Sequence, residues 1–474
     1  MAIAAGTVFQ IWGDGSDNNG GGYVAGGTGT NRSRQSAAQV VIDNSVITAS
    51  ITTTTITFTG GYTPSSVDKD NIVQMLTGTN VTPGFYQITN TGATTWTMDR
   101  NVVTSGTTTD ATGNMGGALL SPGKAAGAKV QGNTIWLKYF ASSYLITSAT
   151  ANVSGGKIDI NATQIRFEGY YQVEGDLSDE ATYGDQSNFR PTIRASVNSI
   201  TMFNESSGTG IYGCFQLDAT AATSITPITT GSGTTTHRIR VLGGSTTACI
   251  NASSGSLLLL CGVEGGSAAA FRLNGACCLG CTVYNNSSFA FESASNMNTC
   301  VECIASSGTG NGPAFSNTGI TARLWCVNCT VYGYQGGTSA HGYSNPDGLH
   351  AMAQINCIAD TCRGDGVGAS NLTHAFNCIS RNNTGSNYGT NCLQFGSITP
   401  TAAVLNSPST GDLSLNAQAG GGLVARAAGL PHVFPNGIAA TGYVDIGAVQ
   451  VQSATSIVNS INAILCLPKE FIPA

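Results

Sequence analysis

The feature that most restricts this chain is a recurrence between residues 261 and 380. A Cys followed by a small or β-branched pair returns at Cys261, Cys281, Cys303, Cys329, Cys357 and Cys378, at intervals of 20, 22, 26, 28 and 21 residues. Polar turn residues follow most of them: Asn285-Asn286, Ser306-Ser307 and Asn382-Asn383. A period of this size with β-branched residues and Gly/Asn turns predicts a solenoid of strand coils. Equivalent side chains then stack as ladders, and Cys suits an inner ladder because it is small, apolar and readily buried. Composition agrees. Only 9% of the 474 residues are charged and 62 are Gly, so the solvent face must be neutral and polar. Such a chain is not a charged-helix protein, a basic nucleic-acid binder or an acidic disordered tail. No apolar run reaches the ~18 residues of a membrane helix. The fold expected is all-β, a right-handed single-stranded parallel β-helix with a small β module before it.

Four segments are expected. Residues 1–30, with Gly20, Gly21, Gly22, Gly26 and Gly27, read as a Gly-rich arm, and 31–116 as a small β-rich anchoring module of short strands around Ile51–Phe58, Ile72–Leu76, Phe85–Ile88 and Thr95–Met98. Residues 117–450 read as the solenoid, opened by a short Ala-rich helix after Ser121-Pro122-Gly123-Lys124 and a strand at Thr134–Lys138. The stretch from Ala118 is not a phosphate loop, since Ala118 and Ala125 stand where Gly and Ser/Thr belong. Residues 451–474 form an apolar tail. Its stretch Ser456–Leu467 is either a final strand over the open end of the solenoid or an interaction peptide.

Residues 117–170, GGALLSPGKAAGAKVQGNTIWLKY through KIDINATQIRFEGY, resemble the opening coil of pectate-lyase-like β-helix proteins. Gly411-Asp412-Leu413-Ser414-Leu415 and Val444-Asp445-Ile446-Gly447-Ala448-Val449-Gln450 resemble their closing segments. Chains with this opening and closing occur among tailed-phage virion proteins. The resemblance therefore implies a virion setting and synthesis in a host cytoplasm, consistent with an amino terminus that carries no secretory signal pattern.

Chemistry is sparse. Three C-x-x-C pairs, Cys278/Cys281, Cys300/Cys303 and Cys326/Cys329, suggest zinc in isolation. They fall on the ladder interval, however, and stacked thiols explain them better. Asp14-Gly15-Ser16-Asp17-Asn18-Asn19-Gly20 hints at a calcium loop but lacks the sixth-position Gly and the bidentate Glu. Polysaccharide hydrolysis needs two carboxylates roughly 5–9.5 Å apart. The acids between residues 200 and 440 are Glu205, Asp218, Glu264, Glu292, Glu302, Asp347, Asp360, Asp365 and Asp412. Glu264 and Asp360 share an offset from their ladder Cys but lie four coils, about 19 Å, apart. A lyase base would have to be Arg272, Arg323 or Arg363, and the densest polar group is His341, Asp347 and His350. No catalytic, cofactor or metal residue is assigned. The expected function is a non-catalytic, trimeric virion protein, a capsid-decoration or tail-associated component that contacts major capsid or tail proteins through residues 1–116. No nucleic acid or membrane partner is expected. Surface carbohydrate is a further candidate partner, and the alternative readings are a polysaccharide-binding or -cleaving spike or lyase, or a cell-surface adhesin.

Overall fold

A computed structural model describes residues 3–43, 47–50, 54–177, 190–206, 208–244, 248–346, 352–367, 373–390, 392–410, 412–426, 428 and 446–447. The chain divides into two compact units, Met1–Ile225 and Thr226–Ala474. The parallel strands in each build coils of a right-handed parallel β-helix.

In the second unit three parallel sheets run side by side. Sheet one stacks Thr235–His237, Leu257–Leu259, Cys277–Leu279, Met297–Val301, Arg323–Val327, Met352–Ile355, Thr373–Phe376 and Cys392–Phe395. Sheet two stacks Arg240–Leu242, Gly262–Glu264, Thr282–Tyr284, Ile304–Ser306, Thr330–Tyr332, Ile358–Asp360 and Ile379–Arg381. Sheet three runs from Thr226–Thr230 through Ala269–Asn274 and Phe291–Ser295 to Tyr343–Ser344.

One residue turns the chain from sheet one towards sheet two. That residue is Arg238, Leu260, Gly280, Glu302, Asn328, Asn356 or Asn377, with φ between 50° and 61°. Asn tolerates this left-handed backbone better than Leu or Glu, because its short side chain can bond locally. From Leu260 onward the next residue is the ladder Cys. All six ladder thiols are fully buried, and each ladder carbonyl from Cys261 to Cys357 accepts the N–H that begins the next coil, as in Thr282→Cys261 and Ile304→Cys281. The expected ladder is therefore present coil by coil. A second inner row pairs Cys278 with Cys300 and Cys300 with Cys326 in direct register. The thiols of Cys281, Cys303, Cys329, Cys357 and Cys378 lie 3.4–3.7 Å from a main-chain carbonyl of the preceding coil. Each thus spends its weak donor inside the core. Sheet three contributes a stack of rings, Phe271, Phe291, Phe315 and Tyr343, with centroids 4.9, 4.6 and 5.0 Å apart and nearly parallel planes.

The closing segment packs on the outside of sheet two. Leu405–Ser407 and Asp412–Leu415 form an antiparallel pair. Val404, Leu405, Leu413, Leu415, Ala425 and Ile446 cluster with Ile358 and Ile379. Gly447 lies so close to the sheet that a Cβ there would meet Ile358 Cδ1 at 2.6 Å, and its N–H donates to Asn356 O at 2.8 Å. The rest of the expected closing motif, Gly411, Val444, Asp445, Ala448, Val449 and Gln450, lies outside the described residues, as does the tail 451–474.

In the first unit the solenoid begins earlier than the sequence suggested. Thr7–Ile11 pairs in parallel with Thr134–Lys138, which pairs with Arg166–Tyr170, and that strand with Ile211–Gly213. Residues 1–30 are therefore not a simple arm before the solenoid: they supply its first strand, and Gly22–Val24 covers that strand's edge antiparallel. The β module is an insertion between this strand and its parallel neighbour. Its sheet runs Val40–Ile42, Thr112–Met115, Ile72–Thr77, Gly84–Thr91, Thr95–Met98, Thr55–Phe58, Ile47–Ser50 and Thr107–Thr108. It has its own core of Val73, Met75, Tyr86, Ile88, Trp96 and Met115. Trp96 Nε1 donates to buried Asp68 at 3.0 Å, so the indole is both packed and satisfied. The expected helix is present as Pro122–Ala128. It rests directly on the following coil, where a Cβ on Gly123 would sit 2.4 Å from Gly156 O.

Candidate functional site

Carboxylates are the first place to look for catalysis on such a scaffold. The register Glu264↔Tyr284↔Ser306↔Tyr332↔Asp360 places Glu264 and Asp360 four strand separations apart, about 19 Å. The expected separation holds, and the two cannot share one glycosidic bond. Each has its own cation: Glu264 meets Arg240 at 2.6 Å and Asp360 meets Arg381 at 3.5 Å. Burial raises the Asp360 carboxyl above its usual range, against the pull of Thr361 and Arg381. Asp218 is also buried, but bonds from Thr220 and Arg194 outweigh the burial and hold its carboxyl low.

The remaining acids also have local duties. Glu292 accepts from Thr318 at 2.9 Å and lies 3.8 Å from Arg272. Glu205 accepts the Gly208 N–H, Asp365 the Ser386 N–H, and Asp412 the Ser414 hydroxyl and N–H. Glu302 is different: it stands at a bend between sheets one and two, and burial alone pushes its carboxyl up to about 7. His341 accepts the Asp365 N–H through Nδ1 at 2.8 Å, and burial lowers its pKa. Its expected companions Asp347 and His350 lie outside the described residues. Arg323 and Arg363 are exposed.

The thiols are held for packing. Burial pushes Cys249 and Cys362 up to about 12 and holds Cys261, Cys278, Cys303, Cys329 and Cys378 well above the ordinary thiol range. A thiol that cannot ionise is a poor nucleophile and a poor metal ligand. Cys281, Cys300 and Cys357 differ: they too are fully buried, but hydrogen bonds from neighbouring thiols pull them below the ordinary thiol range. Among the described residues no trio of His, Cys, Asp or Glu converges as a metal centre. In the calcium-like loop, Asp17 accepts from the N–H groups of Leu120 and Ser121 and from the hydroxyls of Ser121 and Ser154. Its carboxylate thereby holds the start of the helix Pro122–Ala128. Asp14 accepts from Ser36 at 2.6 Å.

Sequence reasoning missed a polar–aromatic cluster on the outer face of the first unit's solenoid. Trp12 Nε1 donates to Tyr170 OH (2.8 Å), Tyr170 OH to Gln10 Oε1 (3.0 Å), and Gln10 Nε2 to Glu174 (2.7 Å). Glu174 pairs with Arg34, and Glu168 with Arg166, both at 2.6 Å. Lys138 sits 3.7 Å over the Trp12 ring and Arg166 5.3 Å from that of Trp136. Two of the chain's four Trp lie here, a signal legible once Thr7–Ile11 and Thr134–Lys138 are known to be neighbours. Sugar stacking needs a free aromatic face, and Lys138 already covers one face of Trp12. The arrangement works as a cross-brace between the first strand and the loop after Tyr170. A cavity of about 340 Å³ in the same unit is lined by Asp17, Ser121, Phe140, Tyr144 and Ser154 among others.

No family model matches the chain, and no curated protein does. Solved structures similar in chain path include pectate lyase Pel9A, at 11% identity and a TM-score of 0.44, covering 70% of this chain and 91% of that one. The catalytic domain of a GH87 α-1,3-glucanase in complex with nigerose is similar at 10% identity and a TM-score of 0.29, covering 76% and 92%. At these values the likeness bears on neither activity nor substrate. The candidate site of this chain thus consists of outward rows of paired charges and tyrosines, with its ladder thiols and the stack Phe271, Phe291, Phe315 and Tyr343 turned inward.

Proposed function

We propose that this chain is a non-catalytic structural component of a tailed-phage virion, a capsid-decorating or tail-associated trimer in which the inserted β module is the anchor. One observation carries the reading. The module leaves and re-joins the solenoid through adjacent backbone: Val40 pairs with Met115, Gln39 N–H donates to Met115 O, and Gly117 N–H donates to Arg32 O. With its own core, it can evolve to fit a particle surface on the faces away from the solenoid, while Phe85 and Asn71 hold it to Phe9 and Tyr23. The virion setting rests on the opening and closing motifs and on the charge-poor composition.

The experiment follows from the insertion geometry. Deleting residues 1–115 would remove the strand Thr7–Ile11 as well, so the informative deletion is 41–114. It leaves the antiparallel pair Val40 and Met115, which a two-residue Asn-Gly turn can join. Expected is a folded solenoid that no longer enters particles, with mass measurement of the intact chain giving three copies. Unimpaired incorporation of the deleted protein, or a monodisperse monomer of the intact one, refutes the reading.

A second reading, a polysaccharide-binding or -cleaving spike, draws on the outward row Glu264, Tyr284, Ser306, Tyr332 and Asp360, where carboxylates flank phenols and Tyr284 is half exposed. Release of reducing ends or unsaturated uronates from acidic or neutral polysaccharides, lost in Asp360→Asn, would favour it.

A further inference from the structure

A cavity of about 390 Å³ lies in the first unit where the inserted module meets the opening of the solenoid. Phe85 and Arg100 of the module line it together with Gly127, Lys129 and Val130, at and after the end of the helix Pro122–Ala128. Ile3 completes the wall. Two of the eight lining residues are cations and none is Asp or Glu, in a chain with only 19 Lys and Arg among 474 residues. A third cation adjoins them: Lys124 Nζ stands 5.5 Å from the centroid of the Phe85 ring and makes no hydrogen bond to a described residue.

The two lining cations are held in place but not saturated. Lys129 Nζ donates to Ala126 O at 2.7 Å and to Asp159 O at 2.8 Å, both main-chain carbonyls. An ammonium has three N–H bonds, so one remains. Engaging Ala126 O also covers a carbonyl at the end of the helix that would otherwise repel an anion. Arg100 donates through Nη1 to Asp99 and through Nη2 to Phe85 O, which leaves three of its five N–H bonds. Its guanidinium lies 4.2 Å from the centroid of the Tyr86 ring, which fixes the position of the fork. The nearby carboxylates are engaged elsewhere as well: Asp99 accepts the Gln87 N–H at 2.9 Å, and Asp159 accepts from Asn204 Nδ2 at 3.1 Å. Burial lowers the Lys129 ammonium to about 8, against the pull of Asp159, so its charge is under-compensated where it stands.

We propose that this cavity binds a phosphate group, held by Arg100 from the module and by Lys129 and Lys124 from the opening of the solenoid. Spare N–H donors on fixed cations are what a phosphate needs, because it offers acceptor oxygens on several sides and up to two negative charges. A carboxylate, with two oxygens and one charge, cannot engage all three cations. The bound group would tie the module to the first coils through charge, beside the Phe9–Phe85 ring contact that already joins them. This inference is independent of the virion reading.

The test is calorimetric titration of the full chain with inorganic phosphate, phenyl phosphate, acetate and sulfate at constant ionic strength. Expected is one saturable phosphate site per chain, with acetate binding at least about tenfold more weakly. Phenyl phosphate distinguishes the sources: competition with phosphate assigns the site to a phosphate ester, and exclusion assigns it to the free ion. Arg100→Gln should weaken phosphate by about tenfold or more, and Lys124→Gln several-fold. Sulfate remains a dianion at neutral and alkaline pH, so its binding reports the charge of the protein. The groups facing Lys129 are the cations Arg100 and Lys124 and the anions Asp99 and Asp159. Sulfate affinity should fall about tenfold between about pH 7 and 9 as Lys129 loses its proton, whereas Lys129→Arg, which keeps the charge, should hold it level. Should Arg100→Gln fail to fold, Lys124→Gln and Lys129→Arg carry the test. No saturable site, equal affinity for acetate, phosphate binding that survives Arg100→Gln undiminished, or sulfate binding that ignores pH in the wild type each overturns the proposal.

Discussion

Glu302 offers a sharp test of the bend line, because its effect on stability has the opposite sign to that of most carboxylates. It holds a left-handed φ of 53°, its N–H donates to Val327 O at 2.9 Å, and burial keeps its carboxyl protonated up to about pH 7. In the unfolded chain the same group ionises near 4.5. Between those values the unfolded state holds fewer protons than the folded one, so folding loses stability as pH rises. The loss is fully developed above about pH 7 and absent below about 4.5. A shift of this size corresponds to ~3 kcal/mol.

Glu302→Gln keeps the shape and removes the ionisation. It should match the wild type near pH 4 and exceed it by ~3 kcal/mol near pH 8, about a hundredfold in protection where local opening governs exchange. Because repeat coils need not unfold in one step, the readout is amide exchange of the segment 297–306, taken as the ratio of variant to wild type at each pH. A ratio that does not change between pH 4.5 and 8, or a wild type better protected at pH 8, refutes the reasoning. Glu302→Asn separates a second effect: relative to Glu302→Gln it should add about 1 kcal/mol at every pH by easing the left-handed backbone.

Truncation of Phe291 to Ala should cost about 3–5 kcal/mol in urea unfolding, and about 0.5–1.5 kcal/mol more than Phe271→Ala, because Phe291 has a ring on both sides and Phe271 on one. Equal costs would show that the stacking adds nothing to burial. Asp17→Ala should cost about 1–2 kcal/mol, read as faster amide exchange at Leu120 and Ser121. Added calcium should leave the melting of the wild type unchanged, and a calcium-dependent rise would restore the loop as a metal site. Elemental analysis should find no stoichiometric zinc, and titration in denaturant should return all fifteen thiols free.

The sequence carried the solenoid because its inner ladder is chemically uniform. Cys281, Cys303 and Cys329 sit in equivalent slots, and a slot that only a small apolar side chain fills leaves a visible period. The bend line was less visible: Leu260, Gly280, Glu302 and Asn328 share a backbone angle but no side-chain chemistry. Three successive Asn, at 328, 356 and 377, each just before a ladder Cys, were the available clue. The first strand was hidden for a different reason. Thr7–Ile11 is five residues beside a Gly-rich stretch, and its parallel partner follows only after the whole inserted module. Among candidate site residues, the Glu264–Asp360 separation could be read from the period, whereas the pairing of each acid with Arg, Thr or backbone N–H depends on neighbours one coil away.

The insertion of the β module also bears on the order of folding. Thr7–Ile11 is synthesised before Thr134–Lys138 and cannot complete its ladder until that later strand exists. In an open chain that pairing closes a loop of about 120 residues. Once the module has folded, Val40 and Met115 are already side by side, and the loop left to close shrinks to about 45 residues. On the logarithmic scale of chain closure the difference is about 0.9 kcal/mol, a several-fold gain in the chance of the first strand meeting its partner. The module forms largely from antiparallel neighbours close in sequence, which assemble faster than long-range parallel pairs. It would therefore act as an internal clasp, delivering the earlier strand to the coil that needs it.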